Sequence, residues 1–136
     1  MTPTSQKKAY LIDTSFLLAY QNRDDKQLMD DCRTTIDILK EEEYPRFIIT
    51  DLIFCEYSSY IWHALRKNRK LTVERIEEVI ENFEIEFIDS SIFKASYDLF
   101  LQRNKEGLAW SLVDCSSFIF MRVLSFSNQW TRRAYS

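Results

Sequence analysis

The sequence holds one glycine and two prolines in 136 residues, a scarcity that excludes an all-β sandwich or barrel, whose tight hairpins draw on Gly, Asn and Pro. Helices should dominate. Its three cysteines, Cys32, Cys55 and Cys115, are odd in number and far apart, with no pair at the spacing of a zinc knuckle or redox motif. They are expected as reduced, buried small hydrophobes. The single histidine, His63, reads as a surface or structural residue, and Ser15 and Ser117 have no Gly-rich turn to make either a hydrolase nucleophile. No stretch approaches the roughly 20 apolar residues of a membrane span, and the segment Met1–Lys8 is too short and polar for a signal peptide. The expectation is a cytoplasmic protein with no membrane association.

What is present is the composition of a folded domain. Apolar residues at 46% and charged residues at 29% rule out a disordered tail or a low-complexity linker. No repeat, linker or composition break divides the chain, so residues 1–136 read as one domain. The net charge of −3 argues against a dedicated duplex binder, whose footprint is a basic domain. Local nucleic-acid contact stays open, because the charge is uneven: segment 71–118 is acidic, whereas 119–136 has basic residues and no acidic one.

Periodicity switches along the chain. Ala9–Ile12 is a short apolar run followed by Asp13-Thr14-Ser15, three helix-capping types, and then Phe16–Tyr20, which predicts strand, turn and helix. Leu28, Cys32, Thr35, Ile36 and Leu39 recur at helical spacing. After Pro45, Phe47-Ile48-Ile49 predicts a second strand, and Thr50-Asp51 caps a helix to about Lys67. A helix from Thr72 should turn Val73, Ile76, Val79, Ile80 and Phe83 inward, with Glu84–Ile88 as a third strand and Ser90-Ser91 capping the next helix. Asp114–Ser117 opens a last helix, Phe118–Leu124, after apolar Leu112-Val113. Such alternation predicts a parallel sheet with helices on both faces, a three-layer α/β/α fold. Its working groups collect where strands end and helices begin.

Three acids occupy such places. Asp13 follows the first strand, and either caps the helix or serves a site; Thr14 and Ser15 could cap as well. Glu56 lies in the register of Leu52, Ile53 and Tyr60, so it is either a carboxylate on an apolar stripe, which needs a partner or a metal, or a half-exposed residue at the stripe's edge. Asp114 repeats the setting of Asp13, with helix capping again the alternative. Carboxylates clustered without His or Cys suit Mg²⁺ or Mn²⁺.

Tyr10–Leu17, with Asp13 after the strand, resembles the opening motif of PIN-domain proteins. Thr50–Glu56 resembles that family's second motif, and Trp110–Phe118 its third, particularly as found in VapC-type toxins. The resemblance covers about residues 8–131. It implies a PIN-like α/β/α fold and a metal-dependent ribonuclease that leaves 5′-phosphate and 3′-hydroxyl ends. Asp13, Glu56 and Asp114 would then be the catalytic and metal-holding residues, with Mg²⁺ or Mn²⁺ as cofactor and Thr14, Ser117 and Thr131 in support. It also implies an RNA substrate, an antitoxin protein as partner and a homodimer.

The chain departs from that pattern at its end. The family's fourth acid would fall at Arg133, two places after Thr131, and no Asp or Glu follows Asp114. The C-terminal end is thus shortened or altered relative to the family, and Arg132-Arg133 brings positive charge where a cation is wanted. Two functions compete: an active ribonuclease, and a catalytically inactive PIN-fold module binding RNA or a protein partner. In Arg66-Lys67-Asn68-Arg69-Lys70 the four cations either complement a helix dipole or, with Lys7, Lys8, Arg132 and Arg133, contact an RNA backbone. Glu41-Glu42-Glu43 reads as a solvated helix end.

Overall fold

A computed structural model of the chain describes residues 8–126; Lys7, Thr131, Arg132 and Arg133 lie outside them. Three parallel strands, β1 (Lys8–Leu11), β2 (Pro45–Thr50) and β3 (Glu84–Glu86), pair in the order β1-β2-β3. Tyr10 stands opposite Phe47 and Ile49 opposite Ile85. Consecutive residues are buried in β1 (Ala9, Tyr10, Leu11) and in β2 (Phe47, Ile48, Ile49, Thr50), so both faces of the sheet are covered, as parallel sheets require. The fold is the expected α/β/α arrangement with a small sheet. Among the described residues no helix is long and apolar enough to cross a membrane.

The helices are α1 (Thr14–Tyr20), α2 (Lys26–Lys40), α3 (Asp51–Leu65), α4 (Arg69–Asn82), α5 (Ser90–Lys105) and α6 (Leu112–Phe126). On α3, Ile53, Tyr57 and Ile61 are buried at four-residue spacing, and the Tyr57 hydroxyl donates to Gln21 Oε1. Gln21 in turn donates from Nε2 to the Arg75 carbonyl (2.8 Å) and to Glu78 (2.9 Å), which ties α1, α3 and α4 together. Burial, the largest cause, pushes the Tyr57 hydroxyl pKa well above its ordinary value. The chain's single glycine, Gly107, has φ +84 and ends α5. The bonds Leu108 N–H to Arg103 O and Gly107 N–H to Asn104 O form a Schellman closure, which needs a residue at ease in the left-handed region.

Several expectations are corrected. The third strand stops at Glu86 rather than Ile88, because Phe87 is exposed and the Ile88 N–H is taken by Asp51 Oδ1 at the start of α3. Glu84 and Glu86 instead bind Arg46 across the β2–β3 edge. α4 begins at Arg69 under an Asn68 cap, earlier than Thr72. Its buried line is Thr72, Val79 and Phe83, leaving Val73 and Ile80 exposed. On α2, Cys32 and Ile36 are buried, whereas Leu28 and Thr35 are exposed. Cys32 and Cys115 are buried but Cys55 is exposed: at about 100° per residue, a position two places from both Ile53 and Tyr57 points away from the core. Glu42 is not simply solvated, since it accepts from the Tyr10 hydroxyl and pairs with Lys8.

Asp89, not Ser90 or Ser91, caps α5, accepting from Ile92 N–H (2.8 Å) and the Ser91 hydroxyl (2.7 Å). The Ile92 N–H above all, then the Ser91 hydroxyl, hold the Asp89 carboxyl below its ordinary pKa. A pKa lowered in the folded state means stability that is present above the unfolded aspartate value of about 3.9 and is lost as pH falls through the folded value. Asp89→Ala is expected to lower the urea midpoint at pH 6, and to converge on the parent protein as the pH falls below that range. Parallel midpoint curves would remove the cap from the acid-side account.

Candidate functional site

Each of the three acids is set by a local device. Asp13 ends the β1 segment and is the N-cap of α1, its Oδ1 accepting from Phe16 N–H (2.9 Å) and the Ser15 hydroxyl (3.1 Å). The capping alternative therefore holds for Asp13, and Thr14 and Ser15 lie within the helix rather than capping it. Capping consumes one carboxylate oxygen; Oδ2 has no hydrogen bond among the described residues.

Asp114 does not repeat that setting. α6 begins at Leu112, so Leu112-Val113 is helical and not an extended lead-in. Ser111 Oγ accepts from Asp114 N–H (3.0 Å) while Asp114 Oδ2 accepts from Ser111 N–H (3.2 Å), a reciprocal capping box that fixes the carboxylate in the first turn of α6. Ser111 and its neighbours are braced by Trp110, whose ring meets Phe118 edge-on (5.9 Å between centroids) and lies under the Arg103 guanidinium (5.3 Å).

Glu56 is exposed, which settles its two readings in favour of the edge of the stripe. It projects from α3 beside the buried line of Ile53 and Tyr57, and Tyr60, one turn on, is exposed too.

These residues share one cleft of about 220 Å³. Asp13, Glu56 and Asp114 line it with Thr14 and Ser117, the predicted supporting residues, over an apolar floor that includes Ile53 and Val113. They stand at or near the starts of three separate helices, Asp13 as N-cap, Asp114 in a first turn and Glu56 in a second; α1 and α6 each pack on α3, and that packing brings them together. No ion pair reaches any of the three carboxylates among the described residues. The Thr14 hydroxyl oxygen is buried there with no hydrogen-bond partner, a condition native structures rarely leave unanswered without a water, ion or ligand. An all-oxygen, unneutralised donor set of this kind fits a hard divalent ion. As the side chains stand, no three Asp, Glu, His or Cys among the described residues are close enough together to hold one.

Ser15 also belongs to the cleft, beyond the residues expected from the sequence. Its hydroxyl steadies Asp13 and it lines the cleft; the signal was a hydroxyl two places after the acid. The four cations Arg66, Lys67, Arg69 and Lys70 are exposed at the α3–α4 junction and are not part of the acidic cleft. Only Arg66 and Lys67 follow a helix C-terminus. Arg69 and Lys70 start α4, where the helix dipole disfavours positive charge, so dipole complementation does not explain them.

Among solved structures, the chain is similar to VapC20 of Mycobacterium tuberculosis, described as a sarcin-ricin loop cleaving toxin, with a TM-score of 0.64 and 16% identity over 85% of this chain and 82% of that one. It is also similar to VapBC2 from Rickettsia felis, solved bound to a DNA fragment from its promoter, with a TM-score of 0.63 and 13% identity over 82% of this chain and 81% of that one. The fold is a PIN fold. No protein-family model and no curated protein sequence matches the chain. The PIN likeness thus resides in the backbone and in the motifs around Asp13, Glu56 and Asp114.

Proposed function

We propose that this PIN-fold protein is a divalent-metal-dependent endoribonuclease of the VapC type, the toxin of a toxin–antitoxin pair, with RNA as substrate and Mg²⁺ or Mn²⁺ as cofactor. The observation that carries the reading is the meeting of three carboxylates, remote in sequence and paired with no cation among the described residues, on one cleft with the unpartnered Thr14 hydroxyl. Asp13 and Asp114 would hold the ion, and Glu56 would hold it or orient its water. When bound, such an ion supplies an activated water and offsets charge developing at the phosphate.

The protein's own groups do the positioning. Ser15 and the Phe16 N–H immobilise one oxygen of Asp13, and Ser111 immobilises one of Asp114, so that each carboxylate offers its other oxygen from a fixed place. Thr14 and Ser117 are the hydrogen-bonding helpers, and Thr131 is a third whose position lies outside the described residues. Arg66, Lys67, Arg69 and Lys70, with Arg132 and Arg133, are the proposed RNA-backbone contacts. An antitoxin partner and a homodimer complete the proposal; the VapBC2 neighbour supports the first.

A catalytically silent PIN module that binds RNA or a protein is the second reading. It is favoured by the spacing of the acids, no three of which among the described residues are near enough to share an ion, and by an arginine, Arg133, at the position where the family's fourth acid would fall. Purified protein incubated with structured RNA and Mn²⁺ is expected to cleave it into products with 5′-phosphates, and excess chelator to stop cleavage. RNA binding without cleavage, indifferent to chelator, would establish the silent module instead.

A further inference from the structure

A second and larger groove, of about 610 Å³, adjoins the acidic cleft: Ser15 and Leu18 line both. It runs along α3 past Tyr60 and Ile61 to Leu65, and its far wall includes Leu71 on α4. Leu65 and Leu71 bracket Arg66, Lys67, Arg69 and Lys70 in sequence, so the groove begins beside the acidic cleft and ends next to the basic α3–α4 junction, whose four cations do not themselves line it.

Its own lining carries Arg23 and Arg75 against the single acid Asp24. None of these six cations has an ion pair among the described residues. Arg75 is half-buried; its Nη1 donates to the Gln21 carbonyl (2.6 Å), which fixes the guanidinium, and its Nε is buried with no partner. Tyr60 presents its ring at 57% exposure over an otherwise aliphatic wall.

We infer that this groove seats the RNA strand to one side of the scissile phosphate, with its backbone against Arg23, Arg75 and the basic junction and one base stacked on Tyr60. The inference rests on the ribonuclease reading for the direction of the strand, but not for its charge complementarity. From Tyr60 to Leu65 the groove follows α3 for about 7.5 Å, the length of about two stacked nucleotides at 3.4 Å each. Cations paired with no carboxylate suit phosphates, and an exposed aromatic ring beside them is the usual platform for an unpaired base. Arg75 is a positioning residue here, since it touches the strand and not the reacting atoms.

The test is fluorescence anisotropy with a labelled 12-nucleotide single-stranded RNA, in chelator so that no strand is cut, over a series of salt concentrations. Tyr60→Ala is expected to weaken binding about tenfold. Arg69→Ala/Lys70→Ala is expected to flatten the dependence of log Kd on log salt by about 1.4, at about 0.7 per lost contact. All three side chains are exposed, so thermal melting should stay unchanged; Arg75→Lys, which keeps the charge but loses the fork, should bind more weakly than the parent. Parent-like affinity and slope in these variants would overturn the groove assignment, even if metal-dependent cleavage persists. Loss of binding in the variants, with no cleavage under any metal, would support the groove and discard the nuclease reading. Variants that lose an acidic peptide but keep RNA would overturn it in favour of a protein ligand.

Discussion

Asp13→Asn is expected to abolish metal-dependent RNA cleavage, by about 100-fold or more, while leaving the fold almost untouched. The reason lies in the two jobs of that side chain. As N-cap of α1 it needs only an oxygen that accepts from Phe16 N–H, and asparagine caps as well as aspartate does. In the proposed metal-holding role it would need the negative charge, and a metal's stabilisation of the transition state is worth several kcal/mol, with each 1.36 kcal/mol about a factor of ten in rate. Asp13→Ala should lose both and cost about 1 kcal/mol of stability besides. Initial rates with Mn²⁺ and thermal melts on the two variants separate the roles. Equal activity in parent and Asn variant would mean that the cleavage comes from elsewhere.

Ile53→Ala should produce the largest loss of stability, about 2–5 kcal/mol. The side chain is fully buried, at 0% exposure, and forms part of the floor of the acidic cleft one turn before Glu56. Truncation leaves a cavity under the cleft that Ile53 lines with Leu18 of α1 and Val113 of α6, and at several degrees per kcal/mol for a domain of this size melting should fall by about 10 °C. Ile53→Val should cost only about 0.5–1.5 kcal/mol. Because the cleft is assembled by that packing, Ile53→Ala should also weaken Mn²⁺ binding at temperatures where the protein is still folded. Full stability in the alanine variant would show that the cleft floor contributes little to the core.

Much of the fold is legible because its signals are local. Apolar β-branched runs followed at once by capping residues mark β1–α1 and β2–α3, and the single glycine marks the end of α5. Asp13 and Asp114 are legible the same way, as carboxylates at helix starts, and Glu56 as a carboxylate in the register of an apolar stripe. What went astray was decided by geometry that spacing does not carry. Asp13, Asp89 and Ser111 won the capping positions over neighbours of equal propensity because the backbone turned at them. Cys55 and Glu56 face solvent because Ile53, Tyr57 and Ile61 took the inward face of α3. The basic run looks in sequence like one helix end, whereas it spans the end of one helix and the start of the next.

The sequence by itself determined the order of strands and helices and the chemical type of the site, since both follow from short-range pattern and from which side chains are carboxylates. Only the tertiary structure decided that Asp13, Glu56 and Asp114 share a cleft, and that a second groove beside it runs along α3 to Leu65 and Leu71. Those relations depend on how α1, α4 and α6 pack against α3, and packing between segments far apart in the chain is set by the shapes of buried side chains acting together.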